Sequence, residues 1–324
     1  MTTRNPADIT ETMNKIRSLY IRTERDDSFA DHLDRLLSRD PEGALLPVAQ
    51  RFTATRETRG VMVIDEPGGG KSTLVDHALR RHPALNAGPD RQQAWLAGSV
   101  PSPATFKSMI GHLLEQSGYP TIQGRREAWW LVQLLRVRFT VRGIAVLWID
   151  EAHDLFCADS GLILRAIKSL MQGDEAVAII LSGTGKLRDI LRSDPQVQRR
   201  FTTLLLPPVD AVADRAHITD VIAAYCERAD LEPPADPDLV DRLVHASRNR
   251  FGRCIEAVIG AIERALIQGH ESLDLGHFAE DWTLKEGSEL HRNIFLAEEW
   301  WLIDPDREAE EDMPSVNPRR KRSK

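Results

Sequence analysis

At 324 residues the chain has room for one large domain or two smaller ones, and its 42% apolar and 28% charged residues are those of an ordinary globular protein. A net charge of −7, from 42 Lys and Arg against 49 Asp and Glu, argues against a histone-like nucleic-acid binder but leaves room for a local basic face. Three scattered cysteines (Cys157, Cys226 and Cys254) suit buried thiols in a reducing cytoplasm better than a disulfide frame or a zinc site. No apolar run reaches membrane-span length, and Met1–Asp8 lacks a signal-peptide core, so the sequence reads as cytoplasmic.

Residues 1–50 read as a polar lead-in, helical in pieces. Ile16, Leu19 and Tyr20 recur at helical spacing, as do Phe29, Leu33, Leu36 and Leu37 after an Asp27-Ser28 cap signal, with Pro41 and Gly43 punctuating the second piece. Val61–Ile64, an apolar run bounded by Gly60 and a Pro-Gly cluster, predicts a buried parallel strand. Leu74, Val75, Ala78 and Leu79 then mark a helix ending near His82-Pro83.

Between strand and helix lie Pro67, Gly68, Gly69, Gly70, Lys71, Ser72 and Thr73. A Gly-rich loop opening a helix is a phosphate cradle, because unpaired backbone N–H groups and the positive end of the helix dipole point at the anion. Lys71 is placed to reach the β- and γ-phosphates and the Ser72 hydroxyl to ligate Mg²⁺. The pattern G-x-x-x-x-G-K-[ST] calls for glycine at position 65, where this chain has Asp65. Asp tolerates φ > 0, so the turn can survive. A carboxylate beside a triphosphate is harder to accommodate unless it faces away or sits by the metal. Upstream, Ile21–Thr23 read equally as an adenine contact or as core packing.

Gln93–Ala97 is a candidate short strand, and Pro101-Ser102-Pro103 introduces a helix over Ala104–Gln116. In Arg126–Arg142, Trp129 and Trp130 are interleaved with arginines. They read as core residues of an amphipathic helix, with base stacking as the competing interpretation. Ile144–Ile149 is a second apolar run, ending in Asp150-Glu151-Ala152-His153. A carboxylate pair at a strand end downstream of a phosphate cradle is its expected partner: Asp150 to hold Mg²⁺, Glu151 to polarise the attacking water. A helix around Leu162–Met171 follows. A third run, Ala176–Leu181, closes on Ser182-Gly183-Thr184, where Ser182 or Thr184 would sense the γ-phosphate. Gly185–Phe201 is locally basic, Thr202–Leu206 is a short strand, and Pro207-Pro208 marks a domain boundary.

Residues 209–288 show only helical patterns, which predicts a small helical lid. Ser247–Arg253 stands at the start of its third helix, with arginines that either point back at phosphates or cap the helix. From Asn293 a tail runs through Trp300-Trp301 into the acids of Asp304–Asp312 and ends in Arg319–Lys324. Such a tail is expected to be disordered and solvated. The resulting division is a lead-in (1–50), a core (51–208), a lid (209–290) and a tail (291–324).

Cradle, acid pair, polar strand end, basic helix and helical lid in this order resemble an AAA+ ATPase, an α/β core with a parallel sheet flanked by helices plus a helical lid. Ile21-Arg22-Thr23, Arg250-Phe251-Gly252 and Asn293-Ile294-Phe295 with Asp304 narrow the resemblance to the TniB/TnsC group of transposition ATPases, over roughly residues 15–305. The resemblance implies an ATP- and Mg²⁺-dependent homo-oligomer on double-stranded DNA that links a target-selector protein to a transposase. It also implies an arginine finger acting in trans, at Arg200 with Arg199 as second choice, and a lid arginine acting within its own subunit, at Arg253 with Arg250 in reserve. Asp65 departs from the family pattern, which counts against hydrolysis more than against binding. The alternatives are another AAA+ adaptor, such as a helicase loader or secretion ATPase, and a non-hydrolysing nucleotide-sensing scaffold. A DEAH-box helicase, whose motifs Asp150–His153 faintly echo, would need a second α/β domain where this chain shows only helices.

Overall fold

A computed structural model describes residues 5–86, 93–100, 105–120, 127–287 and 289–306, with the side chains of 156–159 and 290 excepted. Pro101–Pro103, Arg126, the Cys157 side chain, the acids after Asp306 and the basic end therefore lie outside the described residues. The chain divides into two compact units, Ile21–Pro207 and a second that joins Met1–Tyr20 to Pro208–Lys324. The first helix, α1 (Pro6–Arg17), thus folds with the carboxyl-terminal helices.

The α/β unit opens with α2 (Glu24–Asp34), started by a capping box between Thr23 and Asp26. A short antiparallel hairpin follows, β1 (Leu37–Arg39) against β2 (Leu45–Ala49), where the sequence pattern suggested more helix. Its reason is the Asp40-Pro41-Glu42-Gly43 turn. Gly43 sits at φ 90°, and the Asp40 carboxylate accepts the Ala44 amide at 2.8 Å, so the chain reverses just after Leu37. Leu36 and Leu37 stay buried, although the helix has ended at Asp34.

Five wholly parallel strands form the sheet: β3 (Gly60–Ile64), β4 (Trp95–Ser99), β5 (Val146–Asp150), β6 (Ala178–Gly183) and β7 (Phe201–Leu205), in the order β4-β5-β6-β3-β7. Strands buried on both faces need continuous apolar runs, which is why Val61–Ile64, Val146–Ile149 and Ala178–Leu181 carry no charge. One face packs α4 (Phe106–Gln116), α5 (Ala128–Arg142), α6 (Ala152–Leu170) and α7 (Gly185–Arg192) over Met62, Leu147 and Leu181. On the other, α2 and α3 (Lys71–Arg81) cover Val61, Val63 and Ile180. A single turn, α8 (Pro195–Gln198), leads into β7.

In α5 the two tryptophans are not in the core. Trp129 and Trp130 are 57% and 42% exposed, and the helix buries Leu131, Val132, Leu135 and Phe139 instead. Apolar residues surround nearly the whole helix, so spacing cannot choose a face; packing against α4 does. The arginines nearby are held by protein partners. Arg136 donates to the Gln172 carbonyl (3.1 Å) and pairs with Glu175 (3.3 Å), and Arg138 donates to the Ser117 carbonyl (2.6 Å).

In the helical unit, α1 packs beside α9 (Arg215–Ala229) and α11 (Phe251–Gln268), with α10 (Leu239–Ala246) and α12 (Leu275–Glu286) completing it. Cys226 and Cys254 are buried in it, and burial pushes the Cys226 thiol up to about 12. The first part of the tail is ordered, against expectation: Asn293, Ile294 and Phe295 are buried, Arg242 donates to the Ile294 and Ala297 carbonyls (2.8 and 2.9 Å), and Phe295 stacks on Phe278. Among the described residues, no helix is long and apolar enough to cross a membrane.

Candidate phosphate-binding site

The parallel register sets the site. Ile64 pairs with Gly183, and β6 lies between β3 and β5, so the segments that follow Ile64, Asp150 and Gly183 all leave the sheet at its carboxyl end. Open parallel sheets bind ligands at that end.

The loop after β3 turns through Gly68 and Gly70, at φ 81° and 91°, where a side chain would be strained. Gly70 caps α3, so the first amides of that helix, through Ser72 and Thr73, have no intrahelical acceptor. Lys71 is buried, and its Nζ donates to the Glu66 carbonyl at 3.1 Å, across the loop from Pro67 to Gly70. Asp65 does not use the left-handed conformation that its position invited. Its carboxylate turns inward, accepts the Glu66 amide at 2.8 Å, and lies so close to Gly69 that a Cβ there would stand 1.8 Å from Oδ2. Asp65 and Gly69 are therefore one fitted pair. Arg25, from α2, donates to the Gly69 carbonyl (3.2 Å) and to the Pro207 carbonyl, tying the loop to the end of β7.

At the end of β5, Asp150 Oδ1 accepts from Ser182 Oγ (2.5 Å) and from the Glu151 amide (3.0 Å), while Trp148 Nε1 donates to Ser182 Oγ (2.9 Å). Ser182 is fully buried and consumed in orienting Asp150. Of the two polar residues expected at the end of β6, Thr184 is then the one left. Its Oγ1 is buried without a hydrogen-bond partner among the described residues, as expected of a group awaiting a ligand. Glu151 caps α6 at φ 49°, an uncommon conformation for a non-glycine, and its carboxylate lies 3.2 Å from His153 Nδ1. Hard oxygen donors at Ser72 and Asp150 suit Mg²⁺, and the glycine cradle with the orphaned Thr184 hydroxyl suits a phosphate chain. The residues present fit the nucleotide and its metal.

Arg199 and Arg200 stand elsewhere, before the first residue of β7, which pairs with Gly60 at the amino end of the sheet. Arg200, expected to face a neighbour, is buried. Its guanidinium pairs with Glu57 and donates to the Lys168 carbonyl at 3.0 Å. In the helical unit, Arg253 lies in the first turn of α11 and lines a cavity of about 440 Å³ with Arg248, Asp281 and Trp282. Arg248 is spent inside that unit, on Glu286, Asp306 and the Pro305 carbonyl.

Sequence reasoning missed Arg25, Glu57 and the coupling of Ser182 to Asp150. Arg25 and Glu57 contact partners 44 and 143 residues away, and nothing local announces such pairings. Only an indole and a serine in otherwise aliphatic strands hinted at the third.

Sheet order, Gly-rich loop and strand-end acid pair are those of the AAA+ P-loop fold. Solved structures with this fold include the Orc1 protein of Aeropyrum pernix in complex with DNA (TM-score 0.61, 17% identity, 85% of this chain and 70% of that one). Another is Cdc6p of Pyrobaculum aerophilum (TM-score 0.59, 15% identity, 87% and 76%). No curated protein sequence matches the chain. The family model described as bacterial TniB protein matches residues 18–211, more than half of the sequence, and the chain belongs to that family.

Proposed function

We propose that this chain is an ATP-controlled regulator of DNA transposition, which assembles as a homo-oligomer on double-stranded DNA and links a target-selector protein to a transposase. The observation that carries the nucleotide part is the convergence of Lys71, the Ser182-oriented Asp150, Glu151 and the unpartnered Thr184 hydroxyl at the carboxyl end of one sheet. Membership of the TniB family supports the role in transposition.

In this reading the loop amides and Lys71 bind the β- and γ-phosphates, and Thr184 donates to a γ-oxygen. Ser72 and Asp150 hold Mg²⁺, whose charge, when it is bound, offsets that of the phosphate oxygens. Glu151 accepts a proton from the water that attacks the γ-phosphorus as the bond to ADP breaks. His153 Nδ1 lies 3.2 Å from the Glu151 carboxylate. The Arg199–Arg200 pair provides the guanidinium that serves the nucleotide of a neighbouring subunit.

Lys71→Ala, which removes the one point charge aimed at the phosphates, is expected to abolish binding of ATP and of DNA together. Glu151→Gln keeps the shape but cannot take a proton, so it should bind ATP and DNA and lose turnover. Fluorescent-nucleotide titration, phosphate release and DNA mobility shift check this; tight ATP binding by the Lys71 variant would sink the assignment.

A second reading, a nucleotide-sensing scaffold that does not hydrolyse, is favoured by the Asp65 carboxylate inside the phosphate loop. Phosphate release that is the same in Glu151→Gln and the unaltered protein, with ATP-dependent DNA binding intact in both, would select it.

A further inference from the structure

At the amino end of the sheet a buried carboxylate holds two arginines with one oxygen. Glu57 Oε1 pairs with Arg200 Nη2 and, at 2.8 Å, with Arg199 Nη2, while Glu57 Oε2 is buried with no hydrogen-bond partner among the described residues. The two arginines differ sharply: the Arg200 side chain is 5% exposed and that of Arg199 52%. The platform beneath them is built. Thr58 Oγ1 donates to the Val177 carbonyl at 2.6 Å, the Gly60 amide donates to the Arg200 carbonyl at 2.9 Å, and Arg59 Nη1 donates to the Arg199 carbonyl. Arg199 is thereby gripped at its backbone by Arg59 and at its guanidinium by Glu57.

A buried ion pair contributes little to stability compared with apolar packing, so one that idles half its carboxylate invites another explanation. Arg199 cannot serve its own subunit's phosphates. β3 and β7 run from Gly60 and Phe201 to Ile64 and Leu205 in register, about 13 Å of strand rise separating this platform from the phosphate loop, farther than an arginine side chain reaches.

We propose that Glu57 is the positioning residue for Arg199, which is the guanidinium presented to a neighbouring subunit's nucleotide, and that Arg200 is its anchor rather than the acting group. Arg199 can leave Glu57 for a phosphate without stranding a buried charge, because Arg200 stays and the idle Oε2 is available to it. This rests on the proposed hydrolysis in trans and names the residue that makes it possible.

The test uses full-length protein, with turnover read as phosphate release and nucleotide binding read separately. Glu57→Gln is expected to lower kcat by about tenfold or more, up to the roughly 10³-fold of a lost arginine finger, with KM for ATP unchanged. On an Arg199→Ala background it should add nothing, since both changes remove one interaction. Mixing Glu57→Gln subunits with Lys71→Ala subunits should restore turnover, because each supplies what the other lacks. The double variant Glu57→Gln with Arg200→Gln buries no charge and keeps a hydrogen-bonded pair, and it should show the same kcat loss. Unchanged kcat in either variant, or no recovery on mixing, overturns the proposal. Loss of nucleotide binding in both variants would give Glu57 to the fold and overturn it as well. A lack of turnover in the unaltered protein would overturn the hydrolysis reading and this inference together, and it is seen before any variant is made.

Discussion

Asp65 puts a carboxylate inside a loop that is proposed to attract phosphate. The carboxylate's bond to the Glu66 amide and its contact with Gly69 shape the loop, while its charge opposes the phosphates. Asp65→Asn keeps the acceptor and removes the charge. Losing one like charge beside the phosphates should tighten ATP binding by about 1–2 kcal/mol, or roughly five- to thirtyfold. Calorimetric titration checks it, and weaker binding would mean that the charge itself shapes the loop. Gly69→Ala drives a Cβ to 1.8 Å from Asp65 Oδ2 and should destroy binding, whereas adding Asp65→Gly should restore it. Failure of that rescue would mean that Gly69 is needed for backbone freedom instead. At this scale the placement of Lys71 and Ser72 at the start of α3, and of Asp150 and Glu151 at the end of β5, was legible because chemistry and spacing sit together in the chain. The sequence left Ser182 and Thr184 as alternatives at the end of β6, since only the β5–β6 register brings Ser182 to Asp150.

Elements carry two further predictions. On α5 the exposed indoles make Trp129→Ser and Trp130→Ser cheap, about 0.5 kcal/mol each by urea denaturation, where core tryptophans would cost about 3–5. A large loss would return them to the core. On α12, His277 is buried at the helix start, where its Nδ1 accepts the Asp274 amide at 3.1 Å and its Nε2 faces His270 Nδ1 at 2.8 Å. Only a neutral imidazole can accept there. Burial first, and the neighbouring His270 second among the lowering influences, hold its pKa below the ordinary 6.5, against the opposing pull of Asp274 and Glu280. The unfolded chain therefore takes up the proton at higher pH than the folded one. The stability this contributes is present above about pH 6.5 and is lost as pH falls below it. Urea midpoints should drop between about pH 7.5 and about pH 5.5, and the drop should shrink in His277→Gln. An equal drop in that variant would assign the effect to other groups.

For the whole molecule, the prediction is that DNA binding depends on nucleotide although the net charge is −7. In the α/β unit Arg136, Arg138 and Arg200 are already paired inside the protein, which leaves fewer cations to displace counterions. Assembly, as proposed, would add modest contacts along the duplex without new chemistry in any subunit. Binding should require ATP or a non-hydrolysable analogue, rise cooperatively with protein concentration, fall steeply with salt and ignore base sequence. A chain stopped at Val316, without the basic end, separates the two sources of affinity. Nucleotide-independent binding lost on that truncation would show that the tail alone binds DNA.

The sequence alone determined the strand–loop–helix cradle, the acid-bearing strand and the helical unit, because each is a local pattern: a glycine cluster after an apolar run, carboxylates at a run's end, a 3.6-residue apolar period. Tertiary structure alone decided which residues meet. Arg200 is interior and Arg199 exterior because Glu57, far upstream, lies beneath them. Trp129 and Trp130 face out because a helix apolar nearly all round takes its orientation from its neighbours. Residues 5–20 join helices more than 190 residues away, where the Tyr225 hydroxyl donates to the Leu19 carbonyl at 3.2 Å. Contacts between distant segments depend on strand register and helix packing, and no local run of residues encodes either.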